Sequence, residues 1–140
     1  MPYQTPFVLD CSVTMAWCFE DESTSSTDQL LDSLQTTNVI VPTIWPLEVA
    51  NVLLFAEKKK RITTIEITQF LDTLSLLPIE IDNSTSIRAK TSIFHLAKTM
   101  QLTIYDAAYL ELAQRGQIPL ATLDKALIKS AKKLNIEMLN

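Results

Sequence analysis

Short runs of strand-forming residues alternate along this chain with longer segments of helical period, and no other feature constrains the fold as much. Phe7–Leu9, Val39–Val41, Ile79–Ile81 and Pro119–Thr122 read as strands, with Glu137–Leu139 as a further edge strand. Helical spacing fills the intervals: Ser12 to Phe19, a segment reaching Gln35 with Leu30, Leu31 and Leu34 on one face, and Ile44 to Lys60. Thr63 and Glu66 form a capping box for a helix carrying Ile67, Phe70, Leu71, Leu74 and Leu77. The Asp82-Asn83-Ser84 cluster caps a helix to Thr99, Asp106 to Arg115 is a helix closed by Gly116, and Asp124 to Leu134 is the last. This order predicts a three-layer α/β/α domain with a mostly parallel sheet of about five strands. At 140 residues and 47% hydrophobic, the chain fits one domain over 1–140 with a substantial core.

Composition removes several functions. Gly116 is the one glycine, so neither a dinucleotide fingerprint nor a glycine-rich phosphate loop can be written. Cys11 and Cys18 fall on one predicted helix about 10 Å apart along its axis, beyond disulfide reach. His95 is the single histidine and falls on the solvent side of its helix, so a Cys/His zinc site lacks ligands and a histidine-activated nucleophile has little support. The longest nearly apolar stretch, Ile44 to Ala56, is broken by Pro46, Glu48 and Asn51, and the N-terminus lacks a signal-peptide pattern, which together predict a cytoplasmic chain with no membrane span. The net charge of −4 opposes bulk attraction to nucleic acid, yet the cations are grouped: Lys58, Lys59, Lys60 and Arg61, then Lys125, Lys129, Lys132 and Lys133. The first group complements a helix C-terminus and the second forms a solvent face, with phosphate contacts, by Lys125 and Lys129 first, as the competing use.

Four acids stand at equivalent places. Asp10 follows the first strand, Asp124 the fourth, Asp106 opens a helix, and Glu48 lies in the first turns of the helix from Ile44. In a parallel sheet all such turns open on one edge, so these acids can converge. Singly, Asp10, Asp106 and Asp124 read equally well as helix caps or dipole partners. Glu48 fits that role less well, because it shares a face with Asn51 inside a helix that is apolar nearly all round, which predicts a central helix whose polar pair must meet something polar. Together the acids would repel one another unless a cation joins them, and oxygen-only ligation suits Mg²⁺ or Mn²⁺.

The segments Val8-Leu9-Asp10-Cys11-Ser12, Pro46 to Leu53 around Glu48 and Asn51, Tyr105 to Ala113 around Asp106, and Ala121-Thr122-Leu123-Asp124 are similar, in order and spacing, to the signatures of PIN-domain ribonucleases. The chain most resembles the VapC-type toxins of toxin–antitoxin modules, over essentially its whole length. That resemblance implies a PIN-like fold and Mg²⁺- or Mn²⁺-dependent endonucleolytic cleavage of RNA, leaving a 5′ phosphate and a 3′ hydroxyl. It matches Asp10, Glu48 and Asp106 to the acidic triad, Asp124 to a more variable fourth acid, and Ser12, Asn51 and Thr122 to supporting polar positions. It further implies a homodimer and inhibition by an antitoxin protein that covers the site. PIN nucleases also act in RNA processing without an antitoxin, and a PIN scaffold can bind RNA or protein without cutting. A receiver-like phosphoacceptor domain is a weaker rival, because no acidic pair flanks Asp10 and the fourth strand ends in Thr122 where that chemistry needs a lysine.

Overall fold

The computed structural model describes residues 5–139. Four parallel strands form its sheet: β1 (Phe7–Leu9), β2 (Val39–Pro42), β3 (Ile79–Asp82) and β4 (Leu120–Ala121), in the order β3-β2-β1-β4. The expected fifth strand is reduced to a parallel bridge between Leu120 and Met138, with Leu120 donating to the Glu137 carbonyl at 2.9 Å. Phe7, Val8 and Leu9 are all fully buried, as a central parallel strand covered on both faces requires.

The helices are α1 (Cys11–Cys18), α2 (Ser25–Ser33), α3 (Trp45–Lys58), α4 (Thr64–Ser75), α5 (Thr85–Arg88), α6 (Phe94–Met100), α7 (Ile104–Gly116) and α8 (Lys125–Lys133). A 3₁₀ turn, Glu20–Glu22, follows α1, and a π turn, Ala89–Ile93, joins α5 to α6 where one continuous helix is expected. The capping box of α4 forms as read: Thr63 Oγ1 accepts from the Glu66 amide at 3.2 Å, and Glu66 accepts from the Thr63 amide at 3.0 Å. Gly116 is not the left-handed cap of α7. That conformation falls on Gln117 (φ 53°), and Lys60, Gln101 and Asn135 adopt it as well, each at a cost of roughly 1–2 kcal/mol in a chain with almost no glycine.

The position of α3 departs from expectation. Trp45, Val49, Leu53 and Ala56 form its buried stripe, but Leu47 is 72%, Leu54 48% and Phe55 51% exposed. The helix is peripheral, and its apolar outer face is surface rather than core. Its first turn is tied to α1 through Trp45 Nε1, which donates to Thr14 Oγ1 at 3.0 Å, while that hydroxyl donates to the Asp10 carbonyl at 3.3 Å. The start of α3 is thereby fixed to the end of β1.

Because β1 is the central strand on which this geometry is built, Leu9→Ala should lower stability by about 2–5 kcal/mol, through lost burial plus the cavity left between sheet and helices. Urea unfolding followed by circular dichroism measures it, and a loss under 1 kcal/mol would show that the strand tolerates collapse.

Candidate active site

Strands β2 and β3 follow β1 on one side, and β4 returns on the other, so the strand order reverses between β1 and β4. The carboxyl ends of strands at such a reversal form a crevice suited to ligands. Asp10 ends β1 there at 6% exposure. Its side chain does not cap α1. Oδ2 instead accepts from Ser12 Oγ and from Thr122 Oγ1, both at 2.7 Å. Each hydroxyl is oriented by an amide of the turn after β4: Leu123 donates to Ser12 at 2.9 Å, and Asp124 to Thr122 at 3.0 Å. An amide on a hydroxyl's lone pair leaves its proton free for the carboxylate. Burial pushes the Asp10 carboxyl upward, against the lowering pull of Thr122, Ser12 and the amides of Cys11 and Ser12.

Asp124 begins α8 and does cap it, with Oδ1 accepting from the Ala126 amide at 2.8 Å and the Leu127 amide at 3.1 Å. Asp106 lies in the first turn of α7, which starts two residues earlier than expected because Thr103 is the cap, its hydroxyl accepting from the Asp106 amide at 3.1 Å. Burial, then the charges of Asp124 and Asp10, push the Asp106 carboxyl up to about 6. Glu48, in the first turn of α3, accepts a hydrogen bond from the hydroxyl of Tyr109 on α7. Burial raises the Glu48 carboxyl, the Tyr109 bond lowers it, and Asp10 and Asp106 raise it again.

These four acids line one cleft of about 400 Å³, together with Ser12, Asn51, Cys11 and Glu22. No lysine, arginine or histidine is on its wall. Thr122 stands behind Asp10, fully buried. Asn51 is exposed at the rim, so the cost of burying its amide does not arise. The acids share a cleft rather than a closed cage: among the described residues no three acidic, cysteine or histidine side chains stand in a ready-made coordination group. Burial, then the charges of Asp10, Glu48 and Glu22, push the Cys11 thiol up to about 12, so it is inert. Lys125 and Lys129 are exposed on α8, beyond the cleft wall.

Two residues of this site escaped the reading of the sequence. Tyr109 had a signal, since it follows Asp106 by one helical turn and faces the same way. It is fully buried, and burial with its Glu48 acceptor pushes the phenol upward, so it stays a neutral donor. Glu22 had none, because a 3₁₀ turn outside every predicted element carries it to the cleft.

A family model of the PIN domain matches residues 7–133. Among solved structures, the chain is similar to the crystal structure of PAE2754 from Pyrobaculum aerophilum, with a TM-score of 0.70 and 18% identity, covering 97% of this chain and 85% of that one. At that identity the likeness speaks for the fold. No curated protein matches the chain by sequence. Since the family match runs from the first strand to the last helix and takes in every acid of the cleft, the chain belongs to the PIN-domain family, whose members are in general nucleases.

Proposed function

We propose that the protein is an endoribonuclease dependent on Mg²⁺ or Mn²⁺, and the toxin of a type II toxin–antitoxin module. One observation carries the catalytic reading: Asp10, Glu48, Asp106 and Asp124 line a single cleft with no cationic side chain among them. Burial raises the carboxyls of Asp10, Glu48 and Asp106, and the charges of neighbouring acids raise the last two further, a cost that a divalent cation would offset. The donors are all oxygen and the cleft has room for water, which suits an ion that keeps part of its hydration shell. Bound there, the cation would supply activation of water and neutralisation of charge on a phosphodiester.

The chain's own groups prepare the site. Ser12 and Thr122 hold Asp10 through one oxygen, the Asp124 cap fixes that carboxylate by its backbone amides, and Tyr109 aims Glu48. Asn51 stands at the rim as a hydrogen-bonding group for substrate or water. Orientation of this kind typically contributes about 10–100-fold to metal affinity or activity.

The antitoxin reading draws on a groove of about 870 Å³ between the end of α1 and α4. Phe19, Ile62 and Phe70 line it, and Glu20, Asp21 and Glu66 outnumber the one cation on its wall, Arg61, which pairs with Asp21. The 3₁₀ turn separates groove from cleft, with Asp21 on one wall and Glu22 on the other. An antitoxin segment with an apolar face and basic flanks fits both. Homodimerisation through the edge of β3 is supported by an apolar hollow of about 350 Å³, where Pro46, Ala50, Leu71 and Ile81 meet. No helix among the described residues is long and apolar enough to cross a membrane.

Cleavage of single-stranded RNA should require Mg²⁺ or Mn²⁺, stop in EDTA, and disappear in Asp106→Asn. Undiminished cutting in EDTA would end the metal reading. The same substitution should raise the melting temperature in EDTA by removing repulsion. The raised Asp106 carboxyl binds a proton below about 6, where its unfolded counterpart stays ionised down to roughly 4. Between these values the folded state holds more protons, so metal-free stability should rise as pH falls from 7 to 5. Asp106→Asn should flatten that rise, and an unchanged pH slope would place the strain elsewhere.

Lys125 and Lys129 lie exposed on the helix that Asp124 begins, outside the cleft wall. Replacing both with Gln should raise KM for RNA and reduce the salt dependence of binding, because fewer counterions are released. Equal affinity and salt slope would leave these lysines as a solvated helix face.

A further inference from the structure

We infer that the outer face of α3 is a track for single-stranded RNA, on which Phe55 stacks against the base of a nucleotide flanking the scissile phosphate and Lys58 meets the neighbouring phosphate. The inference rests on the ribonuclease reading of the cleft.

Steps of three, four and three residues put Glu48, Asn51, Phe55 and Lys58 on one line along the helix. The line begins in the cleft, where Glu48 and Asn51 are part of the wall. It ends about 15 Å away, given the rise of a helix. Phe55 is half exposed, and the Lys58 ammonium lies 5.5 Å from its ring centroid. The chain thus sets an acid that would hold metal, an amide, an aromatic face and a cation in sequence outward from the site. Every base has a π face, so such a platform binds single strands with little regard to sequence, and an adjacent cation takes the backbone charge.

The cations at the far end are available. Arg61 is held by Asp21 and Glu22, both at 2.8 Å, and stacks on Phe19 at 3.8 Å. Among the described residues Lys58, Lys59 and Lys60 form no ion pair. This also argues against a protein partner on the same line, because interface cores are depleted in lysine, and a docked apolar surface would strand these charges. The apolar hollow at the β3 edge is separate, since it takes Pro46 and Ala50 from α3 and neither Asn51 nor Phe55.

The test is fluorescence anisotropy of a labelled single-stranded uridine decamer with the full chain in EDTA, beside cleavage of the same oligonucleotide in Mg²⁺. Phe55→Ala should weaken binding about tenfold, as loss of a stacking platform does. Phe55→Leu, which keeps apolar bulk but no π face, should weaken it similarly, and Phe55→Trp should restore it. Lys58→Gln should reduce the slope of log affinity against log salt by about 0.7, one phosphate contact on a single strand. Sedimentation of each variant supplies the opposing outcome: altered mass with unaltered RNA affinity would assign the face to a protein contact and overturn the track. If the wild-type chain cuts RNA while Phe55→Ala binds it normally, the track alone falls. If the wild-type chain neither binds nor cuts, the ribonuclease reading falls and takes the track with it.

Discussion

Asp10 is a carboxylate held almost entirely away from water at the end of the central strand. A charge so placed has to be solvated by protein, and the solvation comes from two hydroxyls on one oxygen, each kept in line by a backbone amide of the turn after β4. That arrangement couples β1 to β4 across the point where strand order reverses. It therefore fixes where Asp124 enters the cleft and where α8 departs. Thr14 extends the coupling, because its hydroxyl bridges the Asp10 carbonyl and the Trp45 indole and so fixes the start of α3, where Glu48 stands. Two of the other three acids, Asp124 and Glu48, are thus positioned through groups that touch Asp10.

Much of this could be read in the chain because it depends on local chemistry. The parallel sheet follows from alternation of strand and helix periods, and the acids' common edge follows from that topology rather than from any one motif. Ser12 and Thr122 were legible as polar residues beside Asp10 and Asp124. Other parts depend on long-range packing and were not. The apolar surround of Glu48 and Asn51 looked like a core, since a helix covered by solvent on one face and a helix buried all round can carry the same residues. The bond from Tyr109 to Glu48 joins residues 61 positions apart. It needs Tyr109 on α7 to reach the first turn of α3, which no local period encodes.

The caps show a similar division. Asp124 caps a helix and lines the cleft at once, so its role as a cap does not compete with the role proposed for it. Asp10 lines the cleft without capping α1, although its φ and ψ are those of a cap residue, because its carboxylate is taken by hydroxyls. Position in sequence identified both as turn acids. Only the partners decide which of them stabilises a helix and which is kept from doing so.

The acidic cleft also determines what the cations can do. A lysine or arginine inside it would pair with the carboxylates and offset the strain on which the proposed divalent ion would draw. Arg61, the cation tied to the cleft by way of Glu22, is held outside by that same Glu22 and by Asp21, and its stacking on Phe19 keeps it facing the groove. Lysines without an ion pair among the described residues lie further out, at the end of α3 and along α8 among other places. Attraction for a polyanion is thus displaced from the cleft, where the proposed metal would offset its charge. An overall negative chain can still engage RNA under this arrangement, because over a Debye length of about 8 Å the backbone responds to the lysines it passes rather than to the net charge.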